Sequence, residues 1–403
     1  MSRLPGNGAP SPVAGIRLGA ASAGIKRQDR DDLLIIEAAA GATCAAVFTQ
    51  NACSAAPVVV ARRHLSAGPR WLLINSGNAN AGTGDRGLAD ALATCGLLAE
   101  LTGGASEQVL PFSTGVIGEF LPVEKIAAAL PHALADLDEG GWDRAARAIM
   151  TTDTRPKIAS RACQFAGVTI TVTGIAKGAG MIEPNMATML AFVATDARIG
   201  SADLQAILTR AADLSFNRIT VDGDTSTNDA CVLLASGVVS APPIIPGTEA
   251  HERFENAVCE VCAELAEAIV RDGEGATKLM RIQVQQATDA DEARKVGKTI
   301  ANSPLVKTAF FAGDPNWGRI LAAIGRAGCA ELDISRVSIW LDDVLIVEQG
   351  GRAAGYTETA GAAVMSREEI RVRVDLGRGA AEATVLTCDF SYDYVRINAE
   401  YRT

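Results

Sequence analysis

Short apolar runs alternate with amphipathic stretches along the whole chain, and this alternation restricts it to a mixed α/β architecture with more than one sheet. Trp71–Asn75 reads as a buried strand, and Val168–Ile175, where apolar residues alternate with threonine, as a half-buried one. Ala187–Ala194 gives another strand after a loop containing glycines and Pro184. Helices are expected over Leu88–Leu101 (stopped by Gly103 and Gly104), Trp142–Met150, Ala202–Leu214, Phe254–Val270 and Asn316–Ile324. Near the C-terminus, Ile370–Leu376 and Ala383–Phe390 flank Gly377-Arg378-Gly379, the pattern of a hairpin. The proline-rich stretch Ser240–Gly247 reads as a surface loop, since helical periodicity resumes at Glu252.

A chain of 403 residues is long enough for two or three structural units and a full core. Its 37 Lys and Arg against 47 Asp and Glu give a net charge of −10, which leaves no basic surplus for a nucleic-acid backbone. No run reaches the ~18 uninterrupted apolar residues of a membrane span. The best candidate, Leu33–Phe48, contains Glu37, and Met1–Gly6 opens no apolar signal region. A soluble, cytoplasmic protein is expected. Cys259 and Cys262 form the only C-x-x-C, on one helix face, and no histidine or second pair completes a zinc site. Core thiols in a reducing compartment are the expectation, with no metal.

Only three histidines are present, His64, His132 and His251, and none lies beside a glycine-rich turn or a nucleophile. Histidine is the commonest general base. An enzyme built from this chain would therefore use a carboxylate, a lysine or an amine.

Several glycine-rich segments remain. Gly82, Gly84 and Gly87 match G-x-G-x-x-G, but the strand before them ends near Asn75 and no acid-terminated second strand follows, so a dinucleotide site is not expected there. Asn75–Ala81 holds three asparagines after a buried strand. It is either a tight loop satisfied by Asn–backbone bonds or a place of close backbone approach. Ser113–Gly118 follows an apolar run, and its Thr114 hydroxyl and Gly115 amide form a pair of donors suited to a developing oxyanion, although Thr-Gly turns are common. In Gly174–Phe192, Lys177 lies among glycines and Pro184 restricts Glu183 to extended geometry. Thr188 then begins the apolar strand, where a threonine is ordinarily structural.

This last segment resembles the processing site of the ornithine acetyltransferase (glutamate N-acetyltransferase) family of arginine biosynthesis. Phe48-Thr49 with Asn51, Asn75–Ala81, Ser113–Gly118, Thr151–Thr154, Thr220–Asp229, Gly313–Arg319 and Ile397–Thr403 are similar in the same order, so the resemblance covers essentially the whole chain. It implies an α/β sandwich with two central sheets flanked by helices. It also implies self-cleavage between Ala187 and Thr188, giving chains 1–187 and 188–403 that share one catalytic unit and assemble as α2β2. Thr188, as an N-terminal nucleophile with its own α-amine as base, would carry acetyl from N2-acetylornithine to glutamate. Thr114 and Gly115 would form the oxyanion hole. Thr154, Lys177, Thr188, Glu274, Asn398 and Thr403 would contact substrate, with Lys177 suited to a carboxylate and Glu274 to an ammonium group. No cofactor is implied, and acetyl-coenzyme A is a candidate second acetyl donor. Two other readings stand beside this one: a hydrolase or aminopeptidase of related fold using water as acceptor, and a nucleotide-binding oxidoreductase built on Gly82–Gly87.

Overall fold

The computed structural model describes residues 10–26, 28, 30–183 and 189–400. They form two compact units. The first takes the described residues of Met1–Gly178, Pro184–Asn217 and Thr225–Ile269. The second takes Ala179–Glu183, Arg218–Asp224 and the described residues from Val270 onward.

The first unit is a sandwich. One sheet has the order β1 (Ile16–Ala21), β2 (Leu33–Ala38), β4 (Trp71–Asn78), β5 (Val109–Val116). The other has the order β3 (Thr43–Phe48), β9 (Ala230–Ala235), β8 (Leu190–Thr195), β7 (Val168–Lys177), β6 (Lys157–Phe165). Strands β2, β4, β8 and β9 are buried along their whole length, because one face meets the other sheet and the opposite face meets helices. Leu34, Ile36, Leu72, Ile74 and Phe112 face Ile175, Phe192 and Val232 across the sandwich, with the Phe112 and Phe192 rings edge to face at 5.2 Å. The outer face of the first sheet, with Leu33, Ile35 and Leu73, packs on Cys95 and Leu98 of the helix Gly84–Thr102 and on Ile126 and Leu130 of the helix Val123–Ala135. Two central sheets flanked by helices are what the family resemblance implied. Strands from both sides of residues 187 and 188 share the second sheet, where β7 pairs antiparallel with β8.

The second unit holds a third sheet, ordered β13 (Gly351–Arg352), β12 (Val344–Glu348), β11 (Ser338–Leu341), β14 (Glu369–Asp375), β10 (Leu279–Ala287), β15 (Ala381–Cys388). Ile370, Val372 and Val374 alternate inward against helices carrying Val296, Ile300, Phe310 and Ile320, while Glu369 and Arg371 point outward. The hairpin expected around Gly377–Gly379 does not form. Strand β10 lies between β14 and β15, parallel to the first and antiparallel to the second. The glycine turn instead wraps the end of β10, donating from Leu376 N to Gln285 O (3.0 Å) and from Arg378 N to Gln286 O (2.8 Å). A long-range strand buried on its core face has outcompeted the local partner. Ser240–Gly247 stays inside the first unit and leads into the helix Glu249–Arg271, as a surface loop should. No helix among the described residues is long and apolar enough to cross a membrane.

Candidate active site

The C-terminal ends of β4 and β5 meet at a cluster of small and amide side chains. All three asparagines of Asn75–Ala81 bond to neighbouring groups. Asn75 Nδ2 donates to Ser113 Oγ (2.6 Å), Asn78 Nδ2 to the carbonyls of Glu119 and Phe120 (3.1 Å each), and Asn80 Nδ2 to Gly87 O (2.9 Å). Close backbone approach is present as well. Gly115 has φ +135°, and a Cβ there would lie 2.5 Å from Gly77 O and 2.7 Å from Asn78 N. Both sequence readings of this segment therefore hold together. Gly82 and Gly84 adopt positive φ at the turn into the helix, and Gly87 packs under Thr83 and Asn80. The G-x-G-x-x-G spacing is thus accounted for by a turn and helix packing. Titration with a dinucleotide is expected to show no binding.

Thr114 sits at the end of β5, nearly buried, and its Oγ1 accepts a hydrogen bond from Lys177 Nζ at 3.3 Å. Lys177 ends β7, which places its ammonium group beside the Thr-Gly turn. With the hydroxyl oxygen engaged as acceptor, the Thr114 proton remains available to donate elsewhere.

Asp153 was not singled out from sequence, yet it is the anchor of this corner. It accepts from Lys157 Nζ and Gly178 N through Oδ1 (2.6 and 2.7 Å) and from Thr151 N through Oδ2 (2.9 Å). Burial pushes its carboxyl up, but the Lys177 and Lys157 charges and the Gly178 N–H outweigh that and hold it at about 2. Thr154, the neighbouring residue expected to touch substrate, is exposed. Asp229 behaves in the opposite way. Its burial dominates over the Ser226 bonds and the Lys177 charge, so its carboxyl is raised well above the ordinary range. The Lys177 ammonium beside the Thr-Gly turn suits an oxyanion or a substrate carboxylate.

Because the folded-state value of Asp153 is depressed, its contribution is present above the unfolded value near ~3.9 and is lost as pH falls toward about 2. Asp153→Asn is expected to lower the unfolding free energy by ~2 kcal/mol at neutral pH. Denaturant titrations of the two proteins should converge on acidification; a difference that stays constant down to the acid limit would contradict the assignment.

The second unit carries the remaining candidates. Glu274 is buried in the turn after Arg271, with its N–H on Ala179 O (2.8 Å). Gly180 makes room for it, since a Cβ there would lie 2.6 Å from Glu274 Oε1. Asn398 donates through Nδ2 to Glu274 Oε2 at 2.8 Å. The C-terminal helix Tyr392–Ala399 that carries Asn398 is ordered by Ser391 Oγ on Gly275 O (2.6 Å) and by stacking of Phe390 on Tyr394 at 4.6 Å. Asp222, also unanticipated, accepts from Met181 N (2.7 Å) and Ile182 N (2.8 Å) in the segment that leads toward Thr188. Ala187, Thr188 and Thr403 lie outside the described residues.

A model of the ArgJ family matches residues 17–403. The chain belongs to the ArgJ family. This ArgJ-family chain is 69% identical to an arginine biosynthesis bifunctional protein ArgJ from Methylococcus capsulatus over 97% of its own length and 96% of the relative. It is 57% identical to a protein of the same name from Pseudomonas fluorescens, over 97% of both chains. Among solved structures, ArgJ from Bacillus halodurans is 41% identical with a TM-score of 0.50, covering 52% of this chain and 97% of that one. Ornithine acetyltransferase from Mycobacterium tuberculosis, solved with ornithine, is 35% identical with a TM-score of 0.39, covering 45% and 97%.

Proposed function

We propose that the chain transfers the acetyl group of N2-acetyl-L-ornithine to L-glutamate in arginine biosynthesis, through an acetyl ester on Thr188. The observation that carries this reading is the Lys177 ammonium on the Thr114 hydroxyl at a glycine-tight turn, in a chain 69% identical to an ArgJ protein. The Thr188 hydroxyl first attacks the Ala187 carbonyl, the C–N bond breaks to give an ester, and water hydrolyses it. The freed α-amine, with an ordinary pKa of about 7.7–8.0, takes the proton of its own hydroxyl in later turnovers. That step fills the role the three histidines leave vacant.

In the transfer itself, the Thr188 oxygen attacks the acetyl carbonyl while Thr114 and the Gly115 N–H donate to the oxyanion. Ornithine leaves with the proton returned by the amine. Glutamate then attacks the ester by the reverse path. Lys177 pairs with a substrate carboxylate, Glu274 with the ornithine side-chain ammonium, and Thr154, Asn398 and Thr403 complete the contacts. No cofactor takes part. Acetyl-coenzyme A serves as a second acetyl donor to glutamate, and the cut chains assemble as α2β2 in the cytoplasm. The hydrolase alternative needs only water as acceptor, and identities of 57–69% to ArgJ proteins weigh against it.

Incubation with N2-acetylornithine alone should add one acetyl group to the fragment that begins at Thr188, and glutamate should discharge it with formation of N-acetylglutamate. An unmodified fragment, or deacetylation at the same rate with and without glutamate, would overturn the proposal.

A further inference from the structure

We infer that Asn228 is a positioning residue for the oxyanion turn, its side-chain amide tying the peptide that precedes Thr114 to the loop after β4. The inference rests on the oxyanion role of Thr114 and Gly115 proposed above. Asn228 lies in the loop before β9 and is nearly buried. Its Nδ2 donates to Ser113 O at 2.9 Å and to Ala79 O at 2.6 Å, so one planar amide ties the end of β5 to the loop after β4. Its Oδ1 accepts from Thr227 Oγ1 at 2.6 Å, which fixes which edge of the amide faces the two carbonyls.

The carbonyl of Ser113 belongs to the same peptide plane as the Thr114 N–H. Fixing its direction therefore fixes the entry angle of Thr114 and of the Gly115 N–H that follows. On the other side, Asn75 Nδ2 holds Ser113 Oγ at 2.6 Å, so Ser113 is clamped by two amides, one from β4 and one from the loop before β9. Oxyanion donors work because their orientation is set before charge develops, and small displacements are costly. What Asn228 adds is direction.

The test uses the full-length, self-cleaved protein and the acetylornithine-to-glutamate assay. Asn228→Ala and the nearly isosteric Asn228→Asp, which turns the amide donor into an acceptor, are combined with Thr114→Ala. Thr114→Ala should lower kcat by about 10²–10³-fold. Asn228→Ala should lower kcat by about 10–100-fold with KM for both substrates within about two-fold. In the double variant the losses should not multiply, and kcat should stay within about three-fold of Thr114→Ala alone. Multiplying losses, or a KM rise that accounts for the effect, would overturn the inference. So would failure of both Asn228 variants to give folded, cut protein, because the residue would then serve the fold. Near-wild-type kcat in Thr114→Ala would instead remove the oxyanion assignment beneath it, and the two failures are thereby distinguishable.

Discussion

Thr188→Ala should run as one uncut chain of 403 residues on a denaturing gel and show no detectable acetyl transfer. Removal of a covalent nucleophile typically lowers turnover by about 10⁴-fold or more. Here the loss is compounded, because the same hydroxyl is needed to free the α-amine that acts as base. The three histidines offer no substitute. His64 is buried with Nδ1 on Val109 O at 2.9 Å, and His132 and His251 lie on the helices Val123–Ala135 and Glu249–Arg271. Thr188→Ser retains the hydroxyl and should still cut itself and transfer acetyl at a reduced rate. Two bands together with full activity from Thr188→Ala would end the N-terminal-nucleophile mechanism.

What the sequence reveals about this fold follows the range of the interactions involved. Strands β4, β7 and β8 and the helices Gly84–Thr102, Trp142–Ala148, Ser201–Leu214 and Glu249–Arg271 are legible because each buries an apolar face, as Trp71–Asn75 and Leu88–Leu101 show within the first strand and helix. The C-terminal pairing was not legible. A glycine turn between two apolar runs has the local look of a hairpin, whereas the insertion of β10 depends on residues about ninety positions away in the chain. The site divides in the same manner. Thr114, Gly115, Lys177 and Glu274 stand in distinctive glycine-rich segments. Asp153, Asp222 and Asn228 do not announce themselves, since an acid or amide in a Thr-rich loop reads as a turn residue until its partners are seen. The one available signal is repetition. Thr151–Thr154 and Thr220–Asp229 each place an acid among threonines shortly before a strand, and both loops prove to hold backbone groups of the Gly174–Phe192 segment or of the Thr114 turn.

Gly115→Ala should lower transfer sharply while leaving most of the protein folded, and the reason is steric. At φ +135° a side chain is strained before any neighbour is considered, and strained backbone of this kind costs about 1–3 kcal/mol. Its Cβ would also press on the Gly77 carbonyl and the Asn78 nitrogen. These are backbone atoms held in the β4–β5 ladder and by Asn78 and Asn80, so they cannot swing aside as a flexible side chain would. The turn must shift instead, carrying with it the Gly115 N–H and the Thr114 hydroxyl on which Lys177 rests. A displaced hole should lower kcat by about 10²–10³-fold. Gly118 supplies the control within the same segment. Its φ is +85°, yet nothing lies within 4 Å of the position a Cβ would take. Gly118→Ala should therefore cost about 1–2 kcal/mol of stability and leave kcat nearly unchanged. If both substitutions lowered kcat equally, backbone strain alone would explain the loss, and the close packing of Gly115 on Gly77 would have no part in shaping the oxyanion turn.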